Sequence, residues 1–126
     1  MSVSVLFVDD DAPMLRALKR EFSYEYDLSV AYSAAEAQTL ISGHRRFDVV
    51  ISDVTMPGMN ELEFIDRAAP QNPHTSFIVL TGNGEEETLK RACSMPAVVR
   101  VLTKPASREL ILEAIGEAVS RKSLCP

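Results

Sequence analysis

Five residues in this chain could act together chemically, and each stands at the end of an apolar run. Asp9 and Asp10 follow Val3–Val8, Asp53 closes Asp48–Asp53, Thr81 closes Ser76–Thr81, and Lys104 follows Val98–Thr103. Each residue alone has an ordinary explanation as a strand end or a surface charge. Acid, acid, hydroxyl and cation on one rim are a different matter. Three carboxylates in one pocket repel one another, which costs stability unless a cation neutralises them. Hard oxygen ligands with no His or Cys beside them suit Mg²⁺ or Mn²⁺ rather than zinc. A metal flanked by an ammonium and a hydroxyl is what a phosphoryl group needs on its oxygens. A carboxylate can also be the nucleophile and form an acyl phosphate.

Whether these residues meet depends on the elements between them. The run Asp48-Val49-Val50-Ile51-Ser52-Asp53, followed closely by Pro57-Gly58, reads as a strand buried on both faces. Val3–Val8 has the same form, and Asp27–Tyr32 alternates Leu28, Val30 and Tyr32 as a more modest strand. Ala12-Pro13 opens a helix carrying Met14, Leu15, Leu18 and Phe22 at helical spacing, with Asp11 as its N-terminal acid. Ser33 and Glu36 have capping-box spacing, and Ala37, Leu40 and Ile41 continue that helical face. Asn60-Glu61-Leu62-Glu63 is a second cap leading into Phe64, Ile65 and Ala68, with Pro70 and Pro73 expected to stop the helix. Glu85, Glu86 and Glu87 suit the first turn of a fourth helix. Ser107 can cap the last one, with a predicted buried stripe of Leu110, Ile111, Ala114, Ile115 and Val119. The alternation is βαβαβαβαβα, which short right-handed crossovers turn into a doubly wound parallel α/β sheet with helices on both faces. All strand carboxyl ends then emerge at one edge, where open α/β sheets place their ligands.

The chain's 126 residues fit one domain, and the net charge of −5 with no basic stripe argues against direct contact with nucleic acid. Cys93 and Cys125 have no framework spacing, which favours a reduced, cytoplasmic setting. The start Met1-Ser2-Val3-Ser4-Val5 lacks signal-peptide character, and no apolar run approaches the roughly 20 residues that span a bilayer, so no membrane partner is expected.

Taken in order, Val8-Asp9-Asp10-Asp11, Ile51-Ser52-Asp53-Val54-Thr55-Met56-Pro57-Gly58-Met59, Leu80-Thr81-Gly82 and Leu102-Thr103-Lys104-Pro105 resemble the receiver domain of bacterial two-component response regulators, as in the chemotaxis response regulator. The resemblance spans essentially the whole chain. It implies a flavodoxin-like (βα)5 fold with strand order 2-1-3-4-5, the domain covering residues 1–121 and residues 122–126 forming a tail or the start of a linker. It implies that Asp53 accepts a phosphoryl group from a histidine kinase or phosphotransfer protein. Asp10, Asp53 and the backbone carbonyl of Thr55 would ligate Mg²⁺, with Asp9 acting through a coordinated water. Thr81 would hydrogen-bond the phosphoryl group and Lys104 would pair with it, aimed inward by a cis peptide bond before Pro105. A homodimer through the face formed by the fourth helix, the fifth strand and the fifth helix, and a C-terminal output domain, are further implied. The chain would be a switch that catalyses only its own phosphorylation and dephosphorylation, not a turnover enzyme.

The sequence departs from the family pattern in places. Val101 stands where receivers usually carry Phe or Tyr, which suggests that the signal leaves through the Gly82–Gly84 loop and the next helix, or by dimerisation. Asn60-Glu61 replaces Asp-Gly, and Ser94-Met95-Pro96-Ala97 replaces the usual Gly-Ala turn. His44 and His74 belong to no motif. Two other readings compete: a phosphorylation-independent receiver acting as an interaction or dimerisation module, and a Mg²⁺-dependent phosphohydrolase. The second would want a further acid or a cap domain.

Overall fold

The structure, a computed structural model, describes residues 3–43, 46–54, 61–82, 86–104 and 106–120, apart from the side chains at 61 and 86–89. Among the described residues, five strands alternate with five helices: β1 Val3–Val8, α1 Ala12–Phe22, β2 Tyr26–Ala31, α2 Ala34–Ser42, β3 Val49–Asp53, α3 Glu61–Gln71, β4 Ser76–Thr81, α4 Glu86–Cys93, β5 Val98–Thr103 and α5 Arg108–Ser120. Every strand pair is parallel, in the order β2-β1-β3-β4-β5. This is the flavodoxin-like arrangement that the resemblance implies.

Period-two alternation along the strands feeds two cores. Val5, Phe7, Val49, Ile51, Ile78 and Leu80 pack against Leu15 and Phe22 of α1 and Ile111, Ala114 and Ile115 of α5. Leu6, Val8, Val50, Phe77 and Val79 pack on the other side against α2, α3 and Ala92 of α4. The central strands β3 and β4 are buried along their whole length, which explains their unbroken apolar runs.

The helices start where their caps say. The Asp11 carboxylate accepts from Met14 N–H at 3.1 Å, the Ser33 hydroxyl from Glu36 N–H at 3.0 Å, and the Ser107 hydroxyl from Leu110 N–H at 3.1 Å. Three local expectations are corrected. β2 runs one residue earlier than Asp27–Tyr32: its last pair with β1 is Val8↔Ala31, Asp9 N–H bonds Ala31 O at 3.1 Å just beyond, and Tyr32 is 39% exposed. α3 runs one residue past Pro70, to Gln71; the proline removes the N–H that would bond Asp66 O, and Asn72 closes the end by donating from Nδ2 to Ala68 O at 2.8 Å. On α5 the inward position near the end is Ala118, and Val119 is 48% exposed.

Between β4 and β5 the register steps from Phe77↔Val98 to Ile78↔Arg100, with Val99 as the extra residue. A bulge re-aims the side chain beside it. Arg100 therefore reaches α5, donating to Glu117 at 2.9 Å and Glu113 at 3.2 Å.

Candidate functional site

Parallel strands with helical returns leave β1, β3, β4 and β5 to end on the same edge. Backbone bonds extend the ladder one step past the strands: Asp9 N–H to Ala31 O, Val54 N–H to Leu80 O at 2.9 Å, and Lys104 N–H to Thr81 O at 2.8 Å. These bonds hold the main chain under Asp9, Asp53, Thr81 and Lys104 before any side chain is considered.

Asp9 is fully buried and Asp53 is 2% exposed, while Asp10 is exposed. One carboxylate oxygen from each of the three lies within 4.8 Å of the others. The Lys104 ammonium donates to Asp53 Oδ2 at 2.7 Å and to Asp9 Oδ2 at 2.9 Å. The second Asp9 oxygen accepts from Asp11 N–H at 3.0 Å, so the first turn of α1 also supports this carboxylate. Thr81 is buried at the last position of β4, paired in register with Thr103.

Burial pushes the Asp9 carboxyl above its ordinary value; the hydrogen bonds from Lys104 and Asp11 offset this only in part, and the Asp53 charge adds to it. Burial by itself lowers the Lys104 value. The hydrogen bonds to Asp53 and Asp9 outweigh it and hold the ammonium above the usual lysine range. Three carboxylates against one ammonium leave a formal excess of two negative charges (3 − 1 = 2). All the clustered ligands are hard carboxylate oxygens, a donor set that fits a divalent cation of the Mg²⁺ class.

The structure thus brings Asp9, Asp10, Asp53 and Lys104 together, with Thr81 on the same edge. Thr55, the peptide bond before Pro105, Asn60, Asn83, Gly84, His44 and residues 122–126 lie outside the described residues. Val101 is half-buried against the α2–α3–α4 core.

Two features escaped the sequence reading. Lys104 is shared between Asp53 and Asp9; counting three acids against one cation was the signal that could have found it. Ser52, one residue before Asp53, is wholly buried between Val8 and Val79 of the flanking strands. Among the described residues its hydroxyl is the one buried side-chain polar atom with no hydrogen-bond partner. An apolar run with a single Ser does not show which face the Ser takes, or whether anything meets it there.

Comparison with known proteins agrees with this geometry. The family model described as "Response regulator receiver domain" matches residues 5–116. The chain is 31% identical to the virulence sensor protein BvgS of Bordetella bronchiseptica over 98% of its own length and 10% of that protein's. It is 35% identical to protein-glutamate methylesterase/protein-glutamine glutaminase 1 of Chromobacterium violaceum, over 94% of this chain and 34% of that protein. It therefore spans between a tenth and about a third of the length of these curated relatives. Among solved structures, a CheY-like response regulator receiver domain protein from Methanospirillum hungatei superposes with a TM-score of 0.87 at 25% identity, covering 95% of each chain. Family model, relatives and fold converge: the chain belongs to the response regulator receiver domain family of two-component systems.

Proposed function

We propose that the chain is a phosphoacceptor switch in which Asp53 takes a phosphoryl group from a phosphohistidine. The observation that carries this reading is the Lys104 ammonium held between Asp53 and Asp9 inside a cluster of three carboxylates. An Asp53 carboxylate oxygen attacks phosphorus, and the P–N bond to the donor imidazole breaks with its electron pair going to nitrogen. The product is an acyl phosphate on Asp53. Lys104, already 2.7 Å from Asp53, pairs with a phosphoryl oxygen as the carboxylate charge is consumed. The Thr81 hydroxyl donates to another. Asp10, Asp53 and the Thr55 carbonyl would hold Mg²⁺, with Asp9 acting through water, and the ion when bound would supply the remaining positive charge.

The donor in this reading is a histidine kinase or phosphotransfer protein, and the compartment is the cytoplasm. No helix among the described residues is long and apolar enough to cross a membrane. The curated relatives are several times longer than this chain, which supports an output domain elsewhere in a full-length protein. Dimerisation through α4-β5-α5 belongs to the same proposal. Incubation with acetyl phosphate and Mg²⁺ should give a single phosphoryl adduct by intact-mass spectrometry, with amide shifts at Thr81 by NMR. Asp53→Ala should give neither. An adduct that survives Asp53→Ala, or none on the wild type, defeats the reading.

A further inference from the structure

Helix α1 starts at the edge where the acid cluster opens, because Asp9 accepts from Asp11 N–H and Asp11 caps the helix. On its outer side Arg16, Lys19 and Arg20 are all exposed and line, with Pro13, a hollow of about 410 Å³. Residues three and four apart on a helix have Cβ atoms about 5–6 Å from one another, and like charges held at that spacing repel. Among the described residues no carboxylate pairs with any of the three. The acids nearest in sequence are engaged elsewhere: Glu21 and Glu25 with Arg108, and Asp11 with the Met14 N–H. Arg91, Arg100, Lys104 and Arg108, by contrast, each hold an acid partner. In a chain of net charge −5, α1 therefore carries a local group of three cations that nothing inside the fold neutralises.

The other flank of the same helix is apolar. There a second hollow of about 450 Å³ runs between α1 and α5, with Met14, Leu18, Ala106 and Ile111 in its walls and Lys104, the lysine that holds Asp53, lining it as well. At 1.5 Å per residue, the three cations stand about 7–14 Å along the axis from Asp11. A protein that brings a phosphohistidine to Asp53 has to cover this edge, and α1 is what it meets beside the cluster. We infer that the phosphodonor is selected by charge: its docking surface carries acidic side chains that pair with Arg16, Lys19 and Arg20 and an apolar side chain that enters the hollow beside Lys104. The inference rests on the reading of Asp53 as phosphoacceptor and adds the chemistry of the surface that delivers the group. Nucleic acid fits this surface less well. Three cations cover little more than one helical turn, and a phosphate backbone laid along α1 would bring further anions toward a cluster that already carries a negative excess.

The test is phosphotransfer profiling, in which each autophosphorylated histidine kinase and phosphotransfer protein of the same genome is mixed with this chain and the transfer rate measured. The donor that serves the wild type should transfer at least about tenfold more slowly to the combined Arg16→Glu, Lys19→Glu, Arg20→Glu variant, within the range that electrostatic steering contributes. Transfer to the wild type should slow as NaCl rises from about 0.05 to about 0.5 M, where exposed charges are screened, and transfer to the variant should not. The corresponding triple alanine variant, which keeps helix propensity, should fall between the two. Uptake from acetyl phosphate, which needs no docking, should stay within about twofold of wild type in both variants. Equal transfer to wild type and charge-reversed variant, a salt-independent wild-type rate, or loss of acetyl phosphate uptake along with transfer would each overturn the inference. So would duplex DNA held by the wild type and released by the variant while transfer is unchanged. A wild type that takes phosphate from acetyl phosphate but from no protein donor overturns the docking inference alone, whereas one that takes it from neither source defeats the Asp53 reading itself.

Discussion

Replacing Lys104 with Met keeps the aliphatic stem and removes the charge that Asp9 and Asp53 share. Both carboxylates are buried, and the ammonium contacts them at 2.9 and 2.7 Å. Breaking a buried pair by removing one partner costs about 3–5 kcal/mol, because an uncompensated charge stays behind. The Lys104 side chain is 28% exposed, so water screens part of the interaction, and the expected cost falls to about 2–3 kcal/mol. For a domain of this size that lowers Tm by about 8–12 °C, at about 4 °C per kcal/mol. The cost depends on pH in a direction that can be worked out. Burial already holds the Asp9 carboxyl above its ordinary value, with the Asp53 charge adding to it, and removing the ammonium takes away a hydrogen bond that lowers it. Groups raised in this way favour the fold when protonated, and that contribution is lost as pH rises through the folded pKa. The gap between wild type and Lys104→Met, measured by thermal denaturation in chelator-treated buffer, should be smallest in acid and widest near neutrality. Millimolar Mg²⁺ should then raise the Tm of the variant by mass action. A variant as stable as wild type at neutral pH without divalent cations would refute the claim that Lys104 neutralises the cluster.

Other substitutions probe single features. Ser52→Ala removes a buried hydroxyl that bonds nothing among the described residues and should be neutral or stabilising by up to about 1 kcal/mol; Thr75→Val, which removes the buried 2.6 Å hydrogen bond to Phe47 O, should cost about 1 kcal/mol, both measured by urea titration. Equal losses for the two would contradict the hydrogen-bond assignment. Asp11→Ala should cost about 1 kcal/mol through the lost α1 cap, and a larger loss would show that its side chain also serves the acid cluster. Arg108 bonds Glu21 at 2.9 Å and Glu25 at 3.2 Å and lies 5.5 Å from the centre of the Phe22 ring, tying the end of α1 to the start of α5. Arg108→Ala should cost about 1 kcal/mol at low salt and less at high salt; a salt-independent loss would assign the effect to packing.

Much of this protein is legible one residue after another. Apolar runs of five or six residues mark β1, β3, β4 and β5 because strands covered on both faces need no polar alternation. Asp11, Ser33 and Ser107 announce their helices because a cap acts within three residues. The parallel topology follows from the alternation of elements, and topology alone carries Asp9, Asp53, Thr81 and Lys104 to one edge. What failed was whatever depends on neighbours distant in sequence. The end of β2 is set by the Asp9 N–H, the exposure of Val119 by how α5 rolls on the sheet, and the aim of Arg100 by a one-residue bulge between β4 and β5. The hydroxyl bonds of Thr75 and Ser76 have no sequence signature, since their partners Phe47 and Ala118 lie 28 and 42 residues away. At the acid cluster, the sequence by itself determined which charges meet. Only the tertiary structure divided the single Lys104 charge between Asp9 and Asp53, because a bond across 95 residues exists only once β1 and β5 stand in the same sheet.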